Sequence, residues 1–121
     1  FDAKLNNCII YYNYGPVTYS NRALSASLYG DVTMTNCCTA PAWPLAYGTN
    51  NINADPMFVD IGNGVYRLQS ASQCINAGLN NETWMVDARD LDGHSRIDRM
   101  SGVVDMGCYE YFPKGFLFLV R

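Results

Sequence analysis

Two stretches of the chain repeat each other at an offset of 29 residues, and this repeat restricts the possible folds more than any other feature. Residues 2–8 read DAKLNNC and residues 31–37 read DVTMTNC, so that Asp, Asn and Cys recur at matching positions. Apolar residues alternate with polar ones in both stretches, which is the period of a β-strand with one buried face. A strand that ends in a polar corner and then recurs is typical of a solenoid of stacked parallel strands. The repeat therefore predicts two parallel strands in which Leu5 lies next to Met34.

Stacked coils bring like residues together, so the corner residues of the repeat should form pairs. Asn7 would lie beside Asn36, where one side-chain amide can hydrogen-bond to the other. Cys8 would lie about 5 Å from Cys37, which is the spacing of neighbouring strands. That spacing suits a ladder of buried thiols as well as a disulfide, and both arrangements stay open. The chain has five cysteines, and their odd number leaves at least one thiol free unless chains cross-link.

Further short strands are predicted after the repeat, within a single domain of 121 residues. Runs of β-branched and aromatic residues, bounded by turn residues, begin at Pro56, Gly64, Gly102 and Phe116. We therefore predict an all-β chain, with coils over residues 1–50 and terminal coils plus closing strands over residues 51–121. The alternative is an antiparallel sandwich in which the two Asn-Cys strands resemble each other by chance.

Composition excludes several classes of partner. Charged residues make up 16% of the chain and the net charge is −3, so no basic surface for a phosphate backbone is expected. No apolar run reaches the length of about 18 residues that a membrane span requires. Nucleic-acid binding and a membrane span are therefore not predicted. The chain begins at Phe1, which we interpret as a sign that it is the carboxy-terminal part of a longer protein.

Four blocks of the second half resemble the carboxy-terminal portion of right-handed parallel β-helix proteins. They read ADPMFVD, GVYRLQSASQCINAG, DLDGHSRID and VVDMGCYEY, and they follow strands that end in Asn-Cys. This order is similar to that of the pectate-lyase-like and polysaccharide-lyase-like proteins of bacterial surfaces and secretomes. The chain departs from the family pattern at Gln73, where Pro is usual, and at Cys108, where Ala is usual. The resemblance implies a right-handed parallel β-helix that is secreted or held at a bacterial cell surface.

The resemblance implies no activity for this chain. Related lyases and hydrolases carry their catalytic groups on central coils, either as calcium-binding acidic residues with an Arg or Lys base or as paired carboxylates. None of those motifs matches a position here, so no catalytic residue is predicted. We expect a non-catalytic structural, adhesion or assembly module. The alternative is the end piece of a polysaccharide lyase or glycoside hydrolase whose catalytic coils lie upstream.

Acidic residues cluster in the DLDGHSRID block and make it the candidate metal site. Asp90 and Asp92 stand two residues apart before a glycine, a spacing typical of oxygen-rich loops that bind Ca²⁺. Arginines are interleaved with these carboxylates, which favours salt bridges that pin the loop. Arg96 is expected to pair with a carboxylate, and Asp105 is the first candidate because a buried Asp needs a partner. We therefore predict no cofactor, with Ca²⁺ at Asp90 and Asp92 as the alternative. His94, the only histidine, is expected to be structural.

Aromatic residues are numerous, with nine tyrosines and two tryptophans. Exposed aromatic rings can stack on sugar rings, so Tyr12, Tyr14 and Trp43 are candidate contacts for a polysaccharide. Strand alternation would bury about half of such residues. Core packing is therefore the competing role for each of them.

Apolar strands at both ends of the chain are predicted to drive self-association. The first runs from Phe1 to Tyr12 and the second from Phe116 to Val120, and the sequence offers no amphipathic helix to cover either. Uncovered strands at the ends of a solenoid pair with other chains. Stacking of the first coil, or exchange of the last strand, would give a filament or a two-fold dimer.

Overall fold

The fold was analysed in a computed structural model that describes residues 3–11, 32–40, 48–80, 82–97 and 100–113. Over these residues the chain consists of short β-strands joined by turns, and it contains no α-helix. The strands are β1 (Ala3–Asn6), β2 (Ile9–Tyr11), β3 (Val32–Thr35), β4 (Cys38–Ala40), β5 (Gly48–Thr49), β6 (Phe58–Asp60) and β7 (Val65–Leu68). The same described residues include two 3₁₀ turns, Ile61–Asn63 and Thr83–Asp87. The all-β prediction is confirmed for the described residues.

The two copies of the repeat pair as parallel strands. β1 pairs with β3 so that Leu5 lies opposite Met34. β2 pairs with β4 so that Ile9 lies opposite Cys38. Both pairs keep the same 29-residue offset, so the corner between the strands is in register as well. The predicted parallel pairing is confirmed, and the antiparallel alternative is wrong for these strands.

A third copy follows the second after only 14 residues. β5 pairs with β3 in parallel, with Gly48 opposite Met34. Beyond the corner, Ile52 bridges to Cys38 in the same parallel sense. The order β1-β3-β5 therefore stacks three segments, each a strand followed by a corner, and we call these segments 3–11, 32–40 and 48–52 the corner segments.

An asparagine in the left-handed conformation turns the chain at each corner. The φ angle is 57° at Asn7, 53° at Asn36 and 58° at Asn50. Asparagine tolerates this conformation better than other residues that carry a Cβ. The Asn7 amide donates to the Leu79 carbonyl at 2.9 Å, and the Asn36 amide donates to the Ala77 carbonyl at 2.9 Å. The expected hydrogen bond between Asn7 and Asn36 is therefore absent, because both amides bond to a later part of the chain instead.

The next two strands form an antiparallel hairpin. β6 and β7 pair with Phe58 opposite Leu68, and the Ile61–Asn63 turn joins them. Gly64 ends that turn at φ = 73°, where glycine meets no steric penalty. The strands predicted from Pro56 and Gly64 are confirmed in position, but they pair with each other rather than stacking as coils.

The segment 100–113 forms no strand, so the closing strand predicted from Gly102 is wrong. Side chains take the backbone donors that a strand would need. The Asp105 N–H donates to the Glu110 carboxylate, and the Tyr111 N–H donates to the Asp105 carboxylate. Such bonds from buried carboxylates to nearby backbone compete with a sheet ladder. The other predicted closing strand, Phe116–Val120, lies outside the described residues.

The core lies between the corner segments and the irregular chain that follows β7. Its central cluster consists of Cys38, Leu68, Cys74 and Met106. The Met106 N–H donates to the Cys74 carbonyl at 2.9 Å, which ties the segment 100–113 into the core. Gly78 packs so closely there that an added Cβ would lie 2.7 Å from Val104 Cγ1. The core therefore depends on a close backbone approach as well as on apolar side chains.

Candidate functional site

A pocket of about 540 Å³ opens between the first corner, the β6–β7 hairpin and the Thr83–Asp87 turn. Aromatic rings line it, namely Phe58, Tyr66, Trp84 and Tyr109. Polar and thiol side chains complete the wall, among them Asn6, Cys8, Glu82, Arg96 and Cys108. A largely apolar, aromatic wall with a few polar groups is the usual composition of a ligand site. We refer to this feature as the aromatic pocket.

Two of the rings are held by the hairpin. Phe58 is half buried on β6 and meets Tyr66 of β7 edge to face, with ring centroids 5.4 Å apart. Tyr11 meets the same Phe58 ring edge to face at 5.7 Å, so the hairpin is braced against the first corner segment. Tyr66 remains 49% exposed in this arrangement. Its ring is therefore positioned by packing while much of its surface stays open to the solvent.

The Thr83–Asp87 turn presents the third ring. Met85 is buried and anchors the turn, whereas Trp84 is 66% exposed and lines the pocket. An exposed indole on an anchored turn is uncommon in a packed domain, because large aromatic residues usually bury most of their surface. The turn therefore displays Trp84 at the edge of the pocket.

The fourth ring connects the pocket to the DLDG loop. The Arg67 guanidinium carbon lies 4.8 Å from the centroid of the Tyr109 ring, within the range of a cation–π contact. Arg67 also forms a bidentate ion pair with Asp92. Tyr109 is thus held by a cation that is itself fixed in orientation.

The five cysteines are free thiols in the structure, and four of them form two neighbouring pairs. The side chains of Cys8 and Cys37 interact as neighbours, which lowers the pKa of Cys8 to about 7 and raises the pKa of Cys37. The thiols of Cys38 and Cys74 interact in the same way, with the pKa of Cys38 lowered and that of Cys74 raised. Cys8 lines the aromatic pocket, whereas Cys37, Cys38 and Cys74 are fully buried. Of the two arrangements left open for the first two corners, the structure therefore has neighbouring free thiols.

Three buried carboxylates hold the end of the described chain in place. Asp105 accepts hydrogen bonds from the Asn76 and Tyr111 N–H groups. Asp90 accepts the Glu110 N–H at 2.9 Å, and Glu110 accepts the Asp105 N–H. Each carboxylate thus binds the backbone of a neighbouring element. This network pins the DLDGHSR and VVDMGCYEY blocks together.

Arg96 pairs with a carboxylate as predicted, but its partner is Glu110. Arg96 Nη1 lies 3.0 Å from Glu110 Oε1, with both side chains nearly buried. Its contact with Asp105 is made by Nη2 to the backbone carbonyl at 3.2 Å. The expectation that Asp105 supplies the carboxylate for Arg96 is therefore wrong. The reason is that the Asp105 oxygens already accept backbone N–H groups.

Burial raises the pKa of Glu110 to about 8, and the negative charge of Asp105 adds to this effect. The Asp105 N–H and the Arg96 guanidinium act in the opposite direction without cancelling the shift. Glu110 therefore releases its proton at a higher pH in the folded chain than an exposed glutamate does.

The candidate calcium ligands bring their oxygen atoms close together, but other donors already occupy them. Ligand atoms of Asp90, Asp92 and His94 lie within 4.8 Å of one another. Asp90 Oδ1 accepts the N–H groups of Asp92 and His94 at 2.9 and 2.8 Å. Both Asp92 carboxylate oxygens accept hydrogen bonds from the Arg67 guanidinium. His94 stacks on Phe112, with ring centroids 5.1 Å apart. A salt bridge therefore pins this loop as predicted, but its cation is Arg67 of β7 and not one of the interleaved arginines.

The three predicted glycan contacts, Tyr12, Tyr14 and Trp43, lie outside the described residues. Sequence reasoning did not single out the aromatic residues that line the pocket. Strand alternation gave a usable signal for Tyr66, because Val65 and Tyr66 must face opposite sides of β7. Trp84 lies in a 3₁₀ turn, whose short span has no pattern that predicts which side is exposed.

No protein-family profile, curated protein sequence or solved structure matches this chain. The family resemblance therefore rests on the four sequence blocks alone. Among the described residues there is no helix long and apolar enough to cross a membrane.

Proposed function

We propose that this chain is a non-catalytic module of a right-handed parallel β-helix protein, exported by a bacterium to its surface or surroundings, and that it holds a polysaccharide in the aromatic pocket. The observation that carries the proposal is the display of Trp84 and Tyr66 at the pocket, 66% and 49% exposed on braced elements. Flat apolar faces of this kind suit the apolar faces of sugar rings. Asn6 and Glu82 on the same wall offer hydrogen bonds to hydroxyl groups.

The parallel pairing supports the β-helix part of the proposal. Three corner segments stack with conserved register, and left-handed asparagines recur at the corners. A strand-and-corner unit cannot bury its apolar face alone, so it requires stacked neighbours. These features, together with the four resembling sequence blocks, favour terminal coils of a longer solenoid.

The distribution of carboxylates favours binding over hydrolysis. Glycosidases cleave with two carboxylates that flank the bond. Among the described residues that line the pocket, Glu82 is the only carboxylate. Asp90, Asp105 and Glu110 are buried and bonded to backbone N–H groups. The alternative, an end piece of a lyase or hydrolase, places its catalytic coils upstream of this chain.

A glycan array followed by titration calorimetry on the hits tests the proposal. Trp84→Ala should weaken binding about tenfold or more, because a central aromatic contact commonly contributes over 1 kcal/mol. Val86→Ala is the matched control, since Val86 is 68% exposed in the same turn and does not line the pocket. Equal affinity of both variants would refute the pocket as the binding site. Release of unsaturated or reducing-end products by the unaltered chain would instead establish the enzymatic alternative.

A further inference from the structure

Cys8 and Cys37 occupy the same position on neighbouring corner segments. The register on both sides fixes this, since Asn6 lies opposite Thr35 and Ile9 opposite Cys38. In-register residues on neighbouring strands have Cα atoms about 4.8 Å apart. That separation lies inside the range of about 4.4 to 6.8 Å found for disulfides. The backbone register therefore places the two cysteines at a separation that a disulfide permits.

The two thiols differ in access. Cys8 is half buried and lines the aromatic pocket, whereas Cys37 is fully buried behind it. The Cys37 thiol donates to the Leu5 carbonyl at 3.3 Å, so it points toward the corner segment that carries Cys8. The Cys8 thiol donates to the Asn6 carbonyl at 3.2 Å. One sulfur is thus open to a reagent in the pocket, and the other is placed behind it.

The charges around Cys8 favour its thiolate. The neighbouring Cys37 side chain lowers the pKa of Cys8 to about 7, and the positive charge of Arg96 acts in the same direction. Glu82 and Cys108 line the same pocket and are the other titratable groups on its wall apart from Tyr66 and Tyr109. A partly exposed thiolate beside a cation is the form of cysteine that reacts with disulfides.

We propose that Cys8 and Cys37 are a redox couple, a dithiol that a low-molecular-weight disulfide oxidises through the aromatic pocket. The Cys8 thiolate attacks one sulfur of oxidised glutathione, a Cys8–glutathione mixed disulfide forms, and one glutathione leaves with the proton that Cys8 has released. Cys37 then gives up its proton and attacks the Cys8 sulfur. The second glutathione leaves with that proton. The chain loses two protons and two electrons, and the disulfide reagent is reduced to two glutathione thiols.

The other cysteines provide internal comparisons. Cys38 and Cys74 are also neighbours, but both are fully buried in the core and neither lines the pocket. They should not react while the chain is folded. Cys108 is exposed on the pocket wall and is the competing partner for Cys8.

The first experiment treats the folded Cys108→Ser chain with oxidised glutathione, quenches it with acid, and maps the cysteines by mass spectrometry after alkylation in denaturant. The proposal expects loss of two free thiols, one peptide link between Cys8 and Cys37, and recovery of Cys38 and Cys74 as thiols. In Cys37→Ser/Cys108→Ser, one glutathione should stay on Cys8. A link between any other two cysteines, or no loss of thiols, overturns the proposal.

A second measurement needs no substitution and therefore does not depend on the variants folding. The unaltered chain is alkylated with iodoacetamide for short times, and each cysteine is quantified. Cys8 should react about tenfold faster than Cys38 and Cys74, and its rate should rise through about pH 7. Reaction of Cys8 at the same rate as Cys38 overturns the proposal.

Discussion

Asn7 and Asn36 share one backbone conformation and one register position on neighbouring strands, yet they do not bond to each other. Their φ angles are 57° and 53°, and their side-chain amides donate to the Leu79 and Ala77 carbonyls. Each asparagine therefore serves two purposes, since it turns the chain and binds the segment that runs alongside. This double use explains why asparagine recurs in the repeat where glycine would suffice for the turn alone.

Asn36→Ala should destabilise the fold by about 2 kcal/mol. The change forces alanine into a left-handed conformation and leaves the partly buried Ala77 carbonyl without its donor. Asn36→Gly should destabilise less, because it removes only the hydrogen bond. Asn50→Ala is the matched control, since Asn50 has a similar φ of 58° but is exposed. Urea unfolding measures all three, and an equal loss for Asn36→Ala and Asn50→Ala would contradict the role of the buried amide.

Glu110 should make the fold less stable as the pH rises. Its folded pKa of about 8 lies above its usual value of 4.5, so the folded chain holds a proton that the unfolded chain has lost between these values. The contribution of this group is fully present below about pH 4.5 and disappears as the pH passes about 8. Glu110→Gln keeps a neutral side chain of similar shape and should flatten the dependence. Unfolding free energies measured at several pH values test this prediction. If the free energy changes equally with pH in the unaltered chain and in Glu110→Gln, Glu110 is not the group responsible.

Arg96→Ala should destabilise by about 3 kcal/mol where Glu110 is ionised, because it leaves a nearly buried carboxylate without its cation. The loss of unfolding free energy caused by Arg96→Ala should be smaller at pH 6, where Glu110 is protonated. Glu110→Gln in the same chain should remove the pH-dependent part of the loss. Thermal unfolding of the single and double variants measures the coupling. Additive losses at every pH would show that Arg96 acts through some other group.

Calcium should leave the melting temperature unchanged to within about 1 °C at millimolar concentration, because the oxygens of Asp90 and Asp92 are already bonded to backbone N–H groups and to Arg67. Differential scanning fluorimetry with and without chelator makes the comparison. An increase of several degrees in the melting temperature at sub-millimolar Ca²⁺ would instead support a calcium site at Asp90 and Asp92. Asp92→Asn serves as the control, since it would abolish such a shift.

The chain should self-associate at tens of micromolar. β1 is an edge strand of its sheet among the described residues, and the sequence from 116 to 120 is an apolar strand pattern. Light scattering on the purified chain decides the matter, and a monodisperse monomer refutes it. A Leu117→Lys/Leu119→Lys variant locates the contact. If it leaves the oligomer intact, the amino-terminal segment forms the interface.

The sequence alone was enough to predict the strands that depend on local alternation and the pairing that depends on the repeat. The pairing of Leu5 with Met34 followed from period-two alternation at a fixed offset. The third corner segment was missed although Thr49-Asn50 copies Thr35-Asn36, because its offset of 14 differs from the first offset of 29. Single-sequence reasoning recognises a repeat by constant spacing, and this chain changes its spacing.

The candidate site was harder to predict, because its residues converge from distant parts of the chain. Trp84 and Tyr66 carry no shared motif, and only the folded hairpin and turn place them on one pocket. The partner of Arg96 was misassigned for a similar reason. The apolar neighbours Val104 and Met106 favoured a buried Asp105, but they could not show that backbone N–H groups already bond to that carboxylate.

The offsets between paired strands differ along the stack, so the number of residues per corner segment is not constant. β3 pairs with β1 across 29 residues and with β5 across 14, yet both pairs keep parallel register. The pitch of the stack is thus set by strand-to-strand hydrogen bonds and not by the number of residues in a turn. Loop-closure entropy grows only logarithmically, so doubling such an interval costs about 0.6 kcal/mol. The parallel register of the corner segments is therefore compatible with different numbers of residues between one segment and the next.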